Sequence, residues 1–239
     1  MKRVKFFNNK GTQCVVADNN DWVAVSFRGT EVNEPIDVVN DFTFPLENEL
    51  KGKVHKGFQS ALNAVWQSKG KYKGVEEHLL KVSKNGTKPV FMTGHSLGAA
   101  IAIIAAARWR RNYPLQGLYT FGSPGVGDKA FVDCLTNTDV IRIVHNEDMV
   151  TKASQHPELF HVGKLYMIDA NGKLKDKGSR PGDQDKIMAK AGQIVLTEAS
   201  RIRKSILLKL ARKTKTIEIP RCLADHSPKY YSNYLRNNV

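Results

Sequence analysis

The sequence predicts an α/β fold in which a mostly parallel central sheet is covered by helices. Short apolar segments such as 22–27 and 140–144 alternate with segments rich in good helix formers, such as 56–69 and 99–109. Strands that alternate with helices form parallel sheets, because each parallel pairing needs a crossover connection. The chain of 239 residues has the length of one such domain with a sizeable core, so residues 1–239 are expected to form a single domain.

The predicted elements follow from the hydrophobic pattern along the chain. Apolar runs rich in β-branched and aromatic residues predict strands at 22–27, 89–93, 118–121, 140–144 and 165–168. Helices are predicted at 36–42, 56–69, 75–83, 99–109 and 230–235. Polar motifs come directly after Phe27, Thr93, Phe121 and Val144. Because ligands bind at the carboxyl ends of strands in open α/β sheets, we expect the functional site at this edge.

The pentapeptide Gly94-His95-Ser96-Leu97-Gly98 lies between the predicted strand 89–93 and the predicted helix 99–109. A strand, Gly-x-Ser-x-Gly and a helix together form the nucleophile elbow of α/β hydrolases, where side chains at the glycine positions would collide with the adjacent elements. The turn leaves the Ser96 hydroxyl at a helix N-terminus, where backbone N–H groups favour developing negative charge. The alternative is a glycine-flanked serine that occurs by chance, and the two flanking elements argue against it.

A serine nucleophile needs a neighbouring base, and the base needs an acid that orients it. In α/β hydrolases the order along the chain is serine, acid, histidine. The histidines that follow Ser96 are His145, His156, His161 and His226. His226 lies in a loop directly before the predicted helix 230–235, and it completes the order. His161 is expected to be a structural, hydrogen-bonding residue, and His95 is expected to pack beside the serine without acting as the base.

Asp148 is the first choice for the acid, because it comes directly after the predicted strand 140–144, where a catalytic carboxylate is expected. Asp128 is the second choice. It follows Gly127, and as a turn or helix-capping residue it needs no catalytic role. The residues therefore predict a triad of Ser96, Asp148 and His226.

Seven segments of the chain extend this pattern. They are VSFRGT (25–30), VHKGF (54–58), TGHSLGAA (93–100), TFGSPGVG (120–127), RIVHNEDMV (142–150), HVG (161–163) and DHS (225–227). In this order they resemble the class 3 lipases, the fungal-lipase-like branch of the α/β hydrolases. The resemblance covers most of residues 20–170 and the C-terminal end, and it implies the α/β-hydrolase fold.

The resemblance also implies a role for each matching residue. Ser96 would be the nucleophile, His226 the general base and acid, and Asp148 the residue that orients the imidazole. Thr30 would occupy the oxyanion-hole position together with the backbone N–H of Leu97. Residues 31–45 stand where the family has its lid.

These roles predict a serine carboxylic-ester hydrolase that acts on lipid acyl esters through an acyl-enzyme, in the manner of a triacylglycerol lipase. A phospholipase or monoacylglycerol lipase of the same fold is the alternative within this class. The alternative outside it is a catalytically weak protein that binds membrane surfaces. No cofactor is needed, and the three widely spaced cysteines and scattered histidines predict no metal site.

The net charge of +14 indicates an anionic partner, and much of it lies in a basic insertion at 176–216 that precedes His226. Within it, residues 186–215 combine basic side chains with apolar residues at helical spacing. This segment is expected either to contact an anionic membrane surface or to be an ordinary surface helix. Nucleic acid is not expected as a partner, because no reading motif accompanies the basic residues.

The N-terminus has a basic start without an apolar segment after it, so no secretory signal is predicted. Apolar runs also fall short of the roughly 20 residues that a membrane-spanning helix needs. The expected location is cytoplasmic, with peripheral membrane attachment or export by another route as alternatives.

Overall fold

The computed structural model describes residues 3–29, 45–148, 150–151, 158–176 and 225–236. The strands are β1 Arg3–Asn9, β2 Thr12–Asp18, β3 Val23–Phe27, β4 Leu46–Glu49, β5 Gly52–His55, β6 Val90–His95, β7 Gly117–Phe121, β8 Val140–His145, β9 Lys164–Ile168 and β10 Leu174–Asp176. The helices are α1 Lys56–Trp66, α2 Val75–Val82, α3 Leu97–Trp109, α4 Lys129–Asp133 and α5 Pro228–Arg236.

Eight of these strands form the central sheet, in the order β1-β2-β3-β6-β7-β8-β9-β10. The neighbours from β3 to β9 pair in parallel, and this confirms the predicted fold class. The edges differ from the prediction, because β1, β2 and β10 are antiparallel to their neighbours. A short turn at Lys10-Gly11, where both residues have positive φ, closes the β1–β2 hairpin that the sequence analysis missed.

The helix α3 lies against one face of the sheet and is the centre of the core. All of its residues except Leu97 and Arg108 are buried, which matches its composition of small and apolar residues on every side. The amphipathic helix α1 covers it with an apolar face of Phe58, Leu62 and neighbouring residues. Ser96 therefore directly precedes a helix that is packed against other parts of the protein on all sides.

The helix α5 packs on the opposite face of the sheet. Its residue Tyr231 is buried in a second cluster with Ile143 of β8 and Ile168 of β9. This contact brings the C-terminal part of the chain to the strands that end nearest the predicted acid, Asp148. At the far edge of the sheet, Val4 and Phe6 of β1 are exposed.

Several expectations fall outside the described residues. They concern Thr30, nearly all of the predicted lid 31–45 including the short helix 36–42, and the basic insertion 176–216 beyond its first residue. Among the described helices, none has both the length and the apolar character needed to cross a membrane.

Candidate active site

Ser96 lies at the sharp turn between β6 and α3, with φ at +56°. The tight packing of this turn accounts for both glycines of the motif. A Cβ on Gly94 would lie 2.2 Å from the carbonyl oxygen of Gly98, and a Cβ on Gly98 would lie 2.2 Å from that of Phe27. Only glycine fits at either position, so the two glycines allow the elbow to pack tightly within itself and against β3.

His226 contacts Ser96 and Asp148 through opposite sides of its ring. Its Nε2 is 2.8 Å from the Ser96 Oγ, and its Nδ1 is 2.9 Å from both carboxylate oxygens of Asp148. A carboxylate only accepts hydrogen bonds, so the proton sits on Nδ1 and Nε2 is free to accept the serine proton. All three side chains are buried. The structure thus brings together the three residues of the predicted triad.

Asp148 follows β8 and carries its charge in a fully buried position. The Tyr231 hydroxyl donates to it at 2.6 Å, and the Val150 N–H donates at 3.0 Å. Burial alone would raise the pKa of the Asp148 carboxyl, but the His226 ring and the hydrogen bonds from His226 and Tyr231 outweigh it. The pKa of Asp148 is therefore below its ordinary value, and the carboxylate stays charged beside the imidazole.

Asp128, the second choice for the acid, lies elsewhere and has a structural role. It is the N-cap of α4, where its Oδ1 accepts a hydrogen bond from the Phe131 N–H at 2.8 Å. Capping of this kind explains an aspartate at this position without any catalytic function.

Of the two residues predicted for the oxyanion hole, the structure describes Leu97. Leu97 begins α3, so its N–H belongs to the first turn, where helical N–H groups have no intrahelical acceptor. Thr30 lies outside the described residues. Its neighbour Gly29 lies against the elbow, because a Cβ there would be 2.8 Å from the carbonyl oxygen of His95 and 3.5 Å from the Cβ of Ser96.

The other histidines have different partners. His161 is 2.9 Å from the Thr151 carbonyl, in the structural role expected for it. His145 contacts the Asp225 carbonyl, and His95 contacts the His226 carbonyl. His156 lies outside the described residues.

Two functional neighbours were missed by the sequence analysis. Tyr231 accepts a hydrogen bond from the His145 N–H and donates one to Asp148, so it joins β8 to the acid. Gly122 has a φ of +57°, and a Cβ there would lie 2.8 Å from an Asp148 carboxylate oxygen and 3.1 Å from the His226 ring. A glycine directly after strand β7 was a signal that could have identified Gly122, whereas Tyr231 had none beyond its place on a predicted helix.

The arrangement can transfer a proton from a serine hydroxyl to an imidazole that is held by a charged carboxylate. Proton transfer of this kind makes the hydroxyl a nucleophile toward a carbonyl carbon. Within the described ranges, no cluster of three or more histidine, cysteine or carboxylate side chains could hold a metal ion.

Comparison with known proteins gives one family match. The family model described as Lipase (class 3) matches residues 24–157, which include the predicted nucleophile and acid. The match ends before the segment that carries His226.

Curated relatives resemble parts of the chain. Phospholipase A1-IIbeta of Arabidopsis thaliana is 28% identical over 162 residues, which are 54% of this chain and 39% of the relative. The secreted mono- and diacylglycerol lipase 1 of Fusarium solani is 37% identical over 98 residues, 38% of this chain and 28% of the relative. The secreted mono- and diacylglycerol lipase MDL3 of Malassezia globosa is 34% identical over 127 residues, 48% of this chain and 40% of the relative. The chain thus spans less than half the length of these relatives.

Solved structures support the same fold over more of the chain. Lipase II from Rhizopus niveus superposes with a TM-score of 0.64 at 23% identity, covering 77% of this chain and 73% of that one. A mutant form of MDLA from Penicillium cyclopium gives a TM-score of 0.62 at 25% identity, covering 79% of this chain and 74% of that one.

Proposed function

Because the chain belongs to the class 3 lipase family, we propose that it is a serine hydrolase that cleaves carboxylic esters of lipids. The observation that carries the proposal is the hydrogen-bonded series from Ser96 through His226 to Asp148, built on the elbow. A protein that only bound lipid surfaces would need neither the strained serine nor a charged carboxylate buried behind the histidine.

The first chemical step is attack of Ser96 on the ester carbonyl carbon. His226 takes the hydroxyl proton at Nε2 as the bond forms, and Asp148 stabilises the resulting imidazolium. The N–H of Leu97, together with Thr30, would hold the negative oxygen of the tetrahedral intermediate. A donor in such a position contributes roughly 3–4 kcal/mol of transition-state stabilisation in other hydrolases.

The second step regenerates the serine. The alcohol leaves with the proton from His226, and the acyl group remains esterified to Ser96. Water then gives a proton to the same Nε2 and attacks the acyl carbon. His226 returns this proton to the Ser96 Oγ as the bond between that oxygen and the acyl carbon breaks, which releases the fatty acid and restores the serine hydroxyl. Every proton passes through His226, so the reaction requires no cofactor.

The substrate is an acyl ester of glycerol, and the relatives suggest two classes, phospholipids and neutral acylglycerols. The relatives are named as phospholipase A1 and as mono- and diacylglycerol lipases. We place neutral acylglycerols first and phospholipids second. The net charge of +14 favours anionic interfaces but does not identify the bond that is cleaved.

The test is labelling with a fluorophosphonate, followed by hydrolysis of esters with different chains and head groups. We expect one label, on Ser96, and hydrolysis of dioctanoylglycerol faster than that of the corresponding phosphatidylcholine or phosphatidylglycerol. Faster hydrolysis of the phospholipids would make phospholipids, our second choice, the substrate class. No label and no hydrolysis of any ester, with and without detergent, would refute the enzyme function.

Gly122→Ala is expected to lower kcat by about 10²-fold, because the new methyl group must displace Asp148 or His226 and a 1 Å error in a catalytic group has about this effect. Gly70→Ala is the matched control, since Gly70 has a φ of +58° and a Cβ added there would meet nothing within 4 Å. Both variants carry the same backbone strain, so melting temperatures and ester kinetics separate strain from collision. Equal kcat values for the two would contradict this prediction.

Tyr231→Phe is expected to lower kcat by about tenfold, because it removes a hydrogen bond to a charged group. Burial, followed by the nearby charge of Asp148, raises the pKa of Tyr231, so the wild-type hydroxyl keeps its proton and donates it. Without this donor the depressed pKa of Asp148 rises. The loss of activity on acidification should therefore begin at a higher pH than in the wild type.

The control for this variant is Tyr230→Phe, at the exposed neighbour on the same helix. Kinetics between pH 4 and pH 9 on both variants provide the measurement. If the two variants gave the same pH profile, Tyr231 would have no special connection to Asp148.

A further inference from the structure

Two histidines outside the triad contact successive carbonyl groups in the loop that carries His226. His95 Nε2 is 2.8 Å from the carbonyl oxygen of His226, and His145 Nδ1 is 3.0 Å from that of Asp225. Each histidine comes from a strand that also leads to a triad residue: His95 directly precedes Ser96, and His145 ends β8 just before Asp148.

The chemistry of these contacts fixes the direction of donation. A carbonyl oxygen only accepts, so the proton must be on Nε2 of His95 and on Nδ1 of His145. Burial, and then the adjacent His226, lower the pKa of His95 to about 4, so its ring is neutral at ordinary pH. A neutral ring in the Nε2–H form is both a donor and an uncharged neighbour for the base.

The His95 contact closes a small ring of interactions around the nucleophile. His95 and Ser96 are joined by a peptide bond, and both contact His226: Ser96 at the imidazole Nε2, His95 at the carbonyl oxygen. The rings of His95 and His226 are also in contact, with centroids 4.7 Å apart and planes tilted by 33°. The backbone and the ring of the base are therefore both held against the residue before the nucleophile.

The two contacts differ in how much else supports them. The Asp225 carboxylate also accepts hydrogen bonds from the Asn146 side chain at 2.7 Å and from the Glu147 N–H at 3.3 Å. Loss of the His145 donor is thus partly compensated at Asp225. Among the residues that the structure describes, the His226 carbonyl has no comparable second donor, so the His95 bond has the larger effect.

We propose that His95 is a positioning residue, which holds the base His226 at its working distance from Ser96, with His145 as a secondary anchor of the same loop. The proposal rests on the proposed ester-hydrolase function. Its physical reason is that proton transfer requires the two heavy atoms to stay within hydrogen-bond reach, and small displacements reduce the rate steeply.

Three substitutions separate the parts of this role. His95→Ala removes the donor and the ring, His95→Phe keeps a ring without a donor, and His95→Gln keeps an N–H donor at a similar reach. We expect kcat to fall about 10- to 100-fold in the alanine and phenylalanine variants, with KM changed by less than about threefold. The glutamine variant should recover kcat to within about fivefold of the wild type, and His145→Ala should lose less than His95→Ala.

The control is His78→Ala, at a half-buried histidine that packs on Phe7 of the edge strand β1. It should keep the wild-type kcat. All rates are measured below the melting temperature of each variant, so a purely structural effect appears in stability and leaves kcat unchanged. A wild-type kcat for folded His95→Ala, or no recovery with glutamine, would overturn the proposal.

A second measurement does not depend on activity. Nitrogen-15 NMR of histidine-labelled protein reports which ring nitrogen carries the proton, and we expect Nε2–H for His95 and Nδ1–H for His145 at pH 7. The opposite tautomer at His95 would overturn the proposal. If the tautomers are as expected but the wild type hydrolyses no ester, the hydrogen bonds stand and only the proposed function fails.

Discussion

Ser96→Ala is expected to lower kcat for ester hydrolysis by about 10⁵-fold, because loss of the nucleophile alone removes nearly the whole contribution of a triad. In the proposed mechanism the Ser96 hydroxyl oxygen forms the acyl-enzyme, and this Oγ is 2.8 Å from Nε2 of His226. Binding and the oxyanion donors remain, so a residual rate above that of uncatalysed hydrolysis should be measurable. Labelling by the fluorophosphonate should disappear completely.

Two further variants make this prediction specific. Ser96→Gly should be as inactive as the alanine variant but more stable by about 1–3 kcal/mol, because glycine relieves the strain of a φ of +56°. Ser60→Ala, at an exposed position on α1, should keep full activity. If Ser96→Ala retained more than about a hundredth of the wild-type rate, another residue would have to be the nucleophile.

Asp148→Asn is expected to lower kcat by about 10³- to 10⁴-fold, by analogy with the loss of the triad carboxylate in other serine hydrolases. The amide carries no charge to stabilise the imidazolium, and its NH₂ group can hold His226 in the wrong tautomer. Since Asp148 is fully buried and accepts hydrogen bonds from His226, Tyr231 and the Val150 N–H, the protein should also lose stability. Thermal unfolding is measured beside the kinetics to separate the two effects.

The matched comparison is Asp128→Ala, which tests the alternative acid directly. It removes the cap of α4 and should reduce the free energy of unfolding by about 1 kcal/mol with kcat unchanged. A large loss of kcat in Asp128→Ala with a small one in Asp148→Asn would reverse the assignment of the acid.

Local patterns predicted the interior of the fold well, because buried parallel strands and an all-apolar helix have strong sequence signals. The β1–β2 hairpin was missed, although the turn at Lys10-Gly11 was visible, because β1 carries basic and polar residues among its apolar ones. The β4–β5 hairpin was missed for a related reason. Its strands have only four residues each, too few for a periodic pattern.

The candidate site also has features that local sequence patterns predict and features that they do not. The sequence by itself predicted the elbow at Ser96, because Gly-x-Ser-x-Gly between an apolar strand and a helix is a local signal. The structure adds the physical reason for the glycines, since a Cβ on Gly94 would collide within the turn and one on Gly98 would collide with β3. The sequence also restricted the base and the acid to a few residues after Ser96, and it placed Asp148 at the end of a strand.

Only the tertiary structure decided which of these residues meet. His226 lies 130 residues from Ser96 and 78 from Asp148, and no local pattern encodes contacts at such separations. Local patterns also do not encode the hydrogen bond from Tyr231 to Asp148 or the one from His95 to the His226 carbonyl. The close approach of Gly122 to Asp148 and His226 is likewise a contact between distant residues. The physical reason is that a backbone turn depends on neighbouring residues, whereas a hydrogen bond between distant residues depends on how the whole sheet and its helices pack.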